Sequence, residues 1–272
     1  MTTSARCRLA AGIAGVILAL LSRASPAAAQ DRPFVFSLTT APDTSKSQFL
    51  VDYDLGVGEQ TFQSSQENGP EQRVGVQASM GRWTLVGRLG LASTSAGDYQ
   101  TSQQGEALFS VLTQASSGVS LAFGGGVLHE ADGIDVWLAR IVAGRDYQDW
   151  RLHGNLLFEM PHNAPNRDAV DLISSVGWAR RLGNAVSLGV EGIGEDLEGF
   201  WDPTEAEGGA RLLVGPSLHV SPAGRKWQLS IAGGPMFHPS TSTIRSEGAD
   251  RELPLISRST GYAIRTSFAC TF

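Results

Sequence analysis

From Ser45 onward the sequence is organised in twos. Apolar or aromatic side chains alternate with small or polar ones, which is the period of an extended strand whose two faces meet different surroundings. Twelve such segments are predicted as strands, at 46–57, 71–80, 82–92, 104–115, 118–129, 133–145, 148–160, 168–181, 184–195, 208–221, 226–238 and 260–272. The last, TGYAIRTSFACTF, shows the pattern clearly: Tyr262, Ile264, Phe268 and Phe272 fall on one face, with Gly261, Ala263, Arg265 and Ser267 on the other. Arg265 between apolar flanks would be costly in a dry core. It fits a strand with one face on a wet lumen and the other on lipid.

The connections between segments alternate in length. Short ones fall at Gly81-Arg82, Ser116-Ser117, Asp146–Gln148, around Gly183 and at Pro222–Arg225. Longer ones fall at Gly58–Pro70, Ser93–Gln103, Pro161–Arg167, Asp196–Glu207 and Pro239–Ser259, with a modest one at Glu130–Gly133. Short turns at one end and long loops at the other suit a barrel that crosses a bilayer, and an even strand count lets first and last strands pair and remove the sheet edges. The expected fold is therefore all-β: a transmembrane antiparallel up-and-down barrel of about twelve strands over 45–272, with short periplasmic turns and longer extracellular loops.

The faces follow from the same alternation. Val74, Val76, Ala78 and Met80 read as outward, as do Leu152, Leu156 and Phe158, and the complementary inward sets read as rich in Gly, Ser, Gln, Asp, Glu and Arg. Segment 133–145 is apolar on both parities. Trp137, Ala139 and Ile141 are assigned outward, because the alternative would put Arg140 at the bilayer midplane. Trp83, Trp150, Trp178 and Trp227 fall at the turn ends of their strands, and Phe158 and Phe237 at the loop ends. With Phe268 and Phe272 they are the candidate membrane-interface aromatics.

Composition adds targeting. The 272 residues, 42% hydrophobic and 18% charged with 32 glycines, contain no apolar run long enough for a transmembrane helix. Residues 1–30 read as a secretory signal, with Arg6 and Arg8 ahead of an apolar Leu9–Leu21 and a small-residue site at Ala27-Ala28-Ala29. Residues 31–44 hold two prolines and read as a periplasmic lead-in. Removing residues 1–30 takes away three arginines and no acid, which moves the formal charge from −6 to −9. That argues against nucleic acid as a partner. Cys7 leaves with the signal, so Cys270, outward by parity, has no intramolecular partner.

A signal, twelve two-faced strands and a final segment ending in Phe272 resemble a Gram-negative outer-membrane β-barrel. Phe272, with Phe268, Ile264 and Tyr262 at alternate positions before it, is similar to the signal read by the barrel-assembly machinery. The stretch Leu213–Phe237 also resembles the hairpin of the transporter-like outer-membrane proteins labelled as phenol-degradation-pathway porins. The resemblance implies an outer-membrane location after export, with outer-membrane lipid and the assembly machinery as partners.

The candidate chemistry lies inside. Arg73, Arg88, Arg140, Arg151, Arg181, Arg211 and Arg265 share the inward face with Asp52, Asp54, Glu106, Glu159, Asp171, Glu191 and Glu195. A twelve-stranded lumen falls between the filled eight-stranded barrel and the open porin. Its two-signed lining fits a narrow passive channel for a small solute, or a non-conducting structural or adhesive barrel sealed by ion pairs. An outer-membrane lipid hydrolase is less favoured. His219-Val-Ser221 and His238-Pro-Ser240 place their histidines inward, away from lipid, with no orienting Asn or Asp beside them. The acidic loop with Glu195, Asp196, Glu198, Asp202 and Glu205 lacks the D-x-D-x-D spacing of a calcium loop, and the five histidines lack ligand spacing. No catalytic, metal or cofactor site is expected.

Overall fold

The computed structural model describes residues 47–59, 70–93, 99–130, 133–163, 170–195, 197–201, 210–238 and 260–272. They form twelve strands: β1 (Gln48–Glu59), β2 (Glu71–Met80), β3 (Trp83–Ser93), β4 (Tyr99–Leu112), β5 (Ser120–His129), β6 (Asp135–Asp146), β7 (Trp150–His162), β8 (Asp171–Arg181), β9 (Val186–Glu195), β10 (Arg211–Val220), β11 (Trp227–Phe237) and β12 (Thr260–Thr271). Each pairs antiparallel with its sequence neighbours, and β12 returns to β1 to close the barrel. At the seam the Phe272 N–H donates to the Phe49 carbonyl at 2.8 Å, and the two rings lie 6.1 Å apart. Among the described residues no helix is long and apolar enough to cross a membrane. The predicted signal and lead-in lie outside the described residues.

The ends of β4 differ from the expected 104–115. The strand starts at Tyr99, because Tyr99–Gln103 pairs fully with β3; the segment is almost wholly polar and offers no contrast between parities from which the sequence could show it. It stops at Leu112 after a register shift between Ser110 and Leu112. The chain then makes a helical turn at Gln114–Ser117 instead of a two-residue connection. The Thr113 carbonyl accepts from the N–H groups of Ser116 and Ser117, and Gly118, at φ 73°, ends the turn in a conformation open to glycine. Turn length is therefore not strictly sorted by end: this turn-end connection is longer than the one at 94–98. The tightest turn is Gly81-Arg82, where Gly81 has φ 58°.

Side-chain burial in the structure alternates along the strands with the period of two seen in the sequence. Tyr53, Leu85, Leu152, Val176 and Ile264 are exposed on the outside, whereas Arg73, Arg140, Glu159 and Arg265 are buried inside. In β6, Trp137 is outward and Arg140 inward, as the cost of a lipid-facing guanidinium requires. The inner face is nevertheless less polar than expected. Val136, Leu138, Leu157, Ile173, Ile193, Leu213 and Met236 form a buried cluster on the inside of β6–β11. Strands such as β6 carry apolar residues on both parities, and only one parity can face outward. Full burial of each such side chain is worth roughly 1.5–3 kcal/mol, so this cluster fixes one wall of the interior.

Cys270 lies on the outer parity of β12, in register with Val51 and Trp227, and is half-buried. A thiol reagent confined to water is expected to leave Cys270 unmodified in the folded protein embedded in a bilayer and to label it after unfolding in urea. Mass analysis of the C-terminal peptide reads the result. Rapid labelling of the folded form would contradict the outward placement.

Candidate functional site: the inner face of the barrel

The inward charges are joined by a recurring device, an ion pair that passes over a glycine on the strand between. In β5 the run Gly124-Gly125-Gly126 leaves the inner face bare. Gly126 sits opposite Glu106 of β4, and Gly124 opposite Arg140 of β6. Arg140 therefore reaches across β5, donating from Nε to Glu106 Oε2 at 2.6 Å and from Nη2 to Oε1 at 2.8 Å. Gln104 Nε2 also donates to Glu106 Oε1 at 2.6 Å, and Arg88 Nη1 lies 3.6 Å from the same oxygen. A side chain at Gly126 would collide with Glu106 itself, its Cβ falling 2.7 Å from the Glu106 Cγ.

The same geometry recurs at the seam. Gly56 of β1 lies opposite both Arg265 of β12 and Glu71 of β2. Arg265 Nη2 donates to Glu71 Oε2 across it, at 3.0 Å. Beside it, Arg73 Nε donates to Asp54 Oδ2 at 2.9 Å between directly facing positions. Asp52 lies one inward position nearer the turns, in room left by Gly75.

At the loop end Glu195 closes β9 with its side chain inside, 3.8 Å from Arg211 of β10. Glu195 is therefore the inner end of a strand and not part of the exposed acidic connection. Glu198 is exposed in the short 3-10 turn Leu197–Phe200, and Asp202 and Glu205 lie outside the described residues, as does Asp196. Glu159 and Asp171 occupy facing inward positions on β7 and β8, both buried.

Toward the turn end the inner face is polar again. His219 Nδ1 shares a 2.9 Å hydrogen bond with Ser230 Oγ of β11, and His219 Nε2 lies 3.7 Å from Glu191 Oε1. The sequence does not show this acid and hydroxyl beside His219: it offers only Ser221, two residues on, and no orienting Asn or Asp. Ser230 is held in register between His219 and Ser267 in the ladder. Ser240 lies outside the described residues. Below His219 a cavity of about 490 Å³ opens, lined among others by Arg151, Arg181, Ser187, Ser221 and Gln228.

The aromatics expected at the membrane interface sit on the outer parity. Trp83, Trp150 and Trp227 begin β3, β7 and β11, and Trp178 lies near the end of β8. Trp83 packs on Phe109 at 5.0 Å, and Trp227 stacks with Phe268 at 6.3 Å. Among the described residues no group of His, Cys, Asp and Glu is arranged to hold a metal ion.

No family model and no curated protein matches the sequence. Solved structures do match in fold. A KdgM porin in complex with disordered oligogalacturonate superposes with a TM-score of 0.54 at 8% identity, covering 82% of this chain and 99% of that one. The NanC porin superposes with a TM-score of 0.53 at 8% identity, covering 81% and 98%. At such identity the likeness is one of fold: the chain has the barrel architecture of these outer-membrane porins.

Replacing Glu106 by Gln leaves Arg140 facing a neutral partner in a site where both side chains are only 1% exposed. The expected cost is about 3–5 kcal/mol, the scale of breaking a buried pair from one side. Urea unfolding in detergent micelles measures it. The double variant Glu106→Gln/Arg140→Gln is expected to recover part of the loss.

Proposed function

We propose that the protein is an integral outer-membrane β-barrel acting as a narrow passive channel for a small solute. The observation that carries this is the inner face, on which arginines and carboxylates alternate at mid-height above a polar mouth at the turn end. A cylinder apolar outside and charged inside is suited to conduct, and mixed charge lets a solute exchange partners without being trapped. The shared architecture with the KdgM and NanC porins supports the same reading. In this orientation the turn end is periplasmic and the loop end extracellular. Residues 1–30 serve as the export signal, residues 31–44 as a periplasmic lead-in, and the strand ending in Phe272 engages the assembly machinery.

A second reading is a non-conducting barrel with a structural or adhesive role. The buried apolar cluster inside β6–β11 and the almost fully buried ion pairs favour it, since both fill space that a pore would leave open.

Planar-bilayer recording separates the two. Folded protein is expected to give discrete openings, and Glu106→Gln, which removes one negative charge beside Arg88 and Arg140, is expected to shift the reversal potential toward anion preference. Protein that is folded but never opens would overturn the channel.

A further inference from the structure

Of the seven inward arginines, five already face a carboxylate within ion-pair distance: Arg73, Arg88, Arg140, Arg211 and Arg265. The other two, Arg151 and Arg181, are in no ion pair among the described residues, and both line the cavity of about 490 Å³ at the periplasmic mouth. We propose that this mouth is a binding site for a small hydroxylated organic anion, held by Arg151 and Arg181 through a carboxylate or phosphate group. The inference deepens the channel reading, on which it rests for the route by which the solute arrives.

Three features support the assignment. Arg151 on β7 and Arg181 on β8 lie on adjacent strands, diagonal to one another about Ala179, so their planar forks can address one oxyanion together. The Arg151 Nε is buried without a hydrogen-bond partner among the described residues, and a buried guanidinium donor left unpaired is costly until an acceptor meets it. Two acids stand beside this pair, Asp146, which faces Arg151 in register and lines the same cavity, and Glu191; neither is within ion-pair distance of Arg151 or Arg181, and Asp146 Oδ1 shares a 2.9 Å hydrogen bond with His153 Nε2.

The rest of the cavity suits a hydroxylated body. Ser187, Ser221, Asn184 and Gln228 supply hydroxyl and amide groups, and the rim carries Tyr147 and Trp150, stacked with centroids 5.5 Å apart. The volume falls within the roughly 300–1,000 Å³ of small-molecule sites. At the mid-lumen, by contrast, a passing anion would have to compete with Glu106 for Arg88 and Arg140. The mouth is where cationic groups remain available.

The test is isothermal titration calorimetry on the folded full chain in detergent micelles, with sodium gluconate, inorganic phosphate and, as neutral counterpart, sorbitol. Saturable binding of gluconate or phosphate and none of sorbitol is expected, and comparing the two anions distinguishes a carboxylate from a phosphate ligand. Arg151→Gln and Arg181→Gln should each weaken binding about tenfold or more, the scale of a lost charge-assisted pair. Arg180→Gln, which removes an exposed charge on the outer parity of the same strand, should bind as the parent does. Heat-dependent gel mobility shows that each variant is folded, and Arg151→Lys, which keeps the charge but not the fork, should bind with intermediate affinity. No saturable binding of either anion, or binding that survives both glutamine substitutions, would overturn the proposal. Conduction without anion binding overturns this inference alone, and anion binding without conduction overturns only the channel.

Discussion

A sheet surrounded by hydrocarbon has no water to satisfy its backbone, so every N–H and C=O must find a partner within the sheet. The barrel meets this requirement by joining β12 to β1, ten residues of each held in antiparallel register. The remaining features follow from that closure. Because the ladder uses up the backbone, side chains alone differentiate the two faces, and alternation delivers one set to the outside and the other to a confined interior. The outer set needs only to be apolar, with aromatic rings at its rims. The inner set has to fill a limited space with groups of opposite charge without leaving either sign uncompensated.

That second demand is met unevenly around the circumference. From β12 through β1 and β2 to β6, the interior carries Arg265, Arg73, Arg88 and Arg140, each set against an acid, beside a small apolar cluster of Val86, Leu108, Ala122 and Val142. From β6 to β11, at the level of Leu138, Leu157, Ile173, Ile193 and Leu213, it is ordered by apolar packing. Nearer the turns it returns to polar groups around His219. From the turn end inward, the interior thus presents Arg151 and Arg181 beside Asp146 first, and then a mid-height level where charged and apolar stretches of wall face each other.

Much of this was legible in the chain. Alternation is a strong signal wherever one parity is clearly apolar, so the expected bounds of β2, β3, β11 and β12 agree with the structure to within a residue. It fails where both parities agree. Tyr99–Gln103 is almost wholly polar on both and carries no strand signal, although its pairing with β3 makes it strand. The helical turn at Gln114–Ser117 is hidden because Val111 and Leu112 carry the strand pattern to its edge and no proline or glycine follows before Gly118. In β6 the inward Val136 and Leu138 were assigned correctly by face, but the apolar cluster they join depends on neighbours brought in by the register of five other strands.

The pairing of charges was the least legible part. Glu71 and Gln104 were not singled out, and Ser230 was passed over for Ser221, because each earns its role from a facing position on a different strand. The signal that could have found them is a glycine on the inward parity set between opposite charges, as in Gly56 between Arg265 and Glu71. It becomes visible only once register is known.

The ion pairs that skip a strand also bear on how the cylinder selects its own size. Sliding one strand by a single residue turns every side chain to the wrong face and is opposed all along the barrel. A slide of two residues keeps each face intact and can re-form the ladder, so neither hydrogen bonding nor hydrophobicity resists it strongly. It would, however, carry Arg140 about two residues out of line with Glu106 across the bare stretch of β5, and Arg265 equally far from Glu71 across Gly56. These links therefore act as a vernier on the stagger of the sheet, and stagger together with strand number sets the circumference that a barrel encloses.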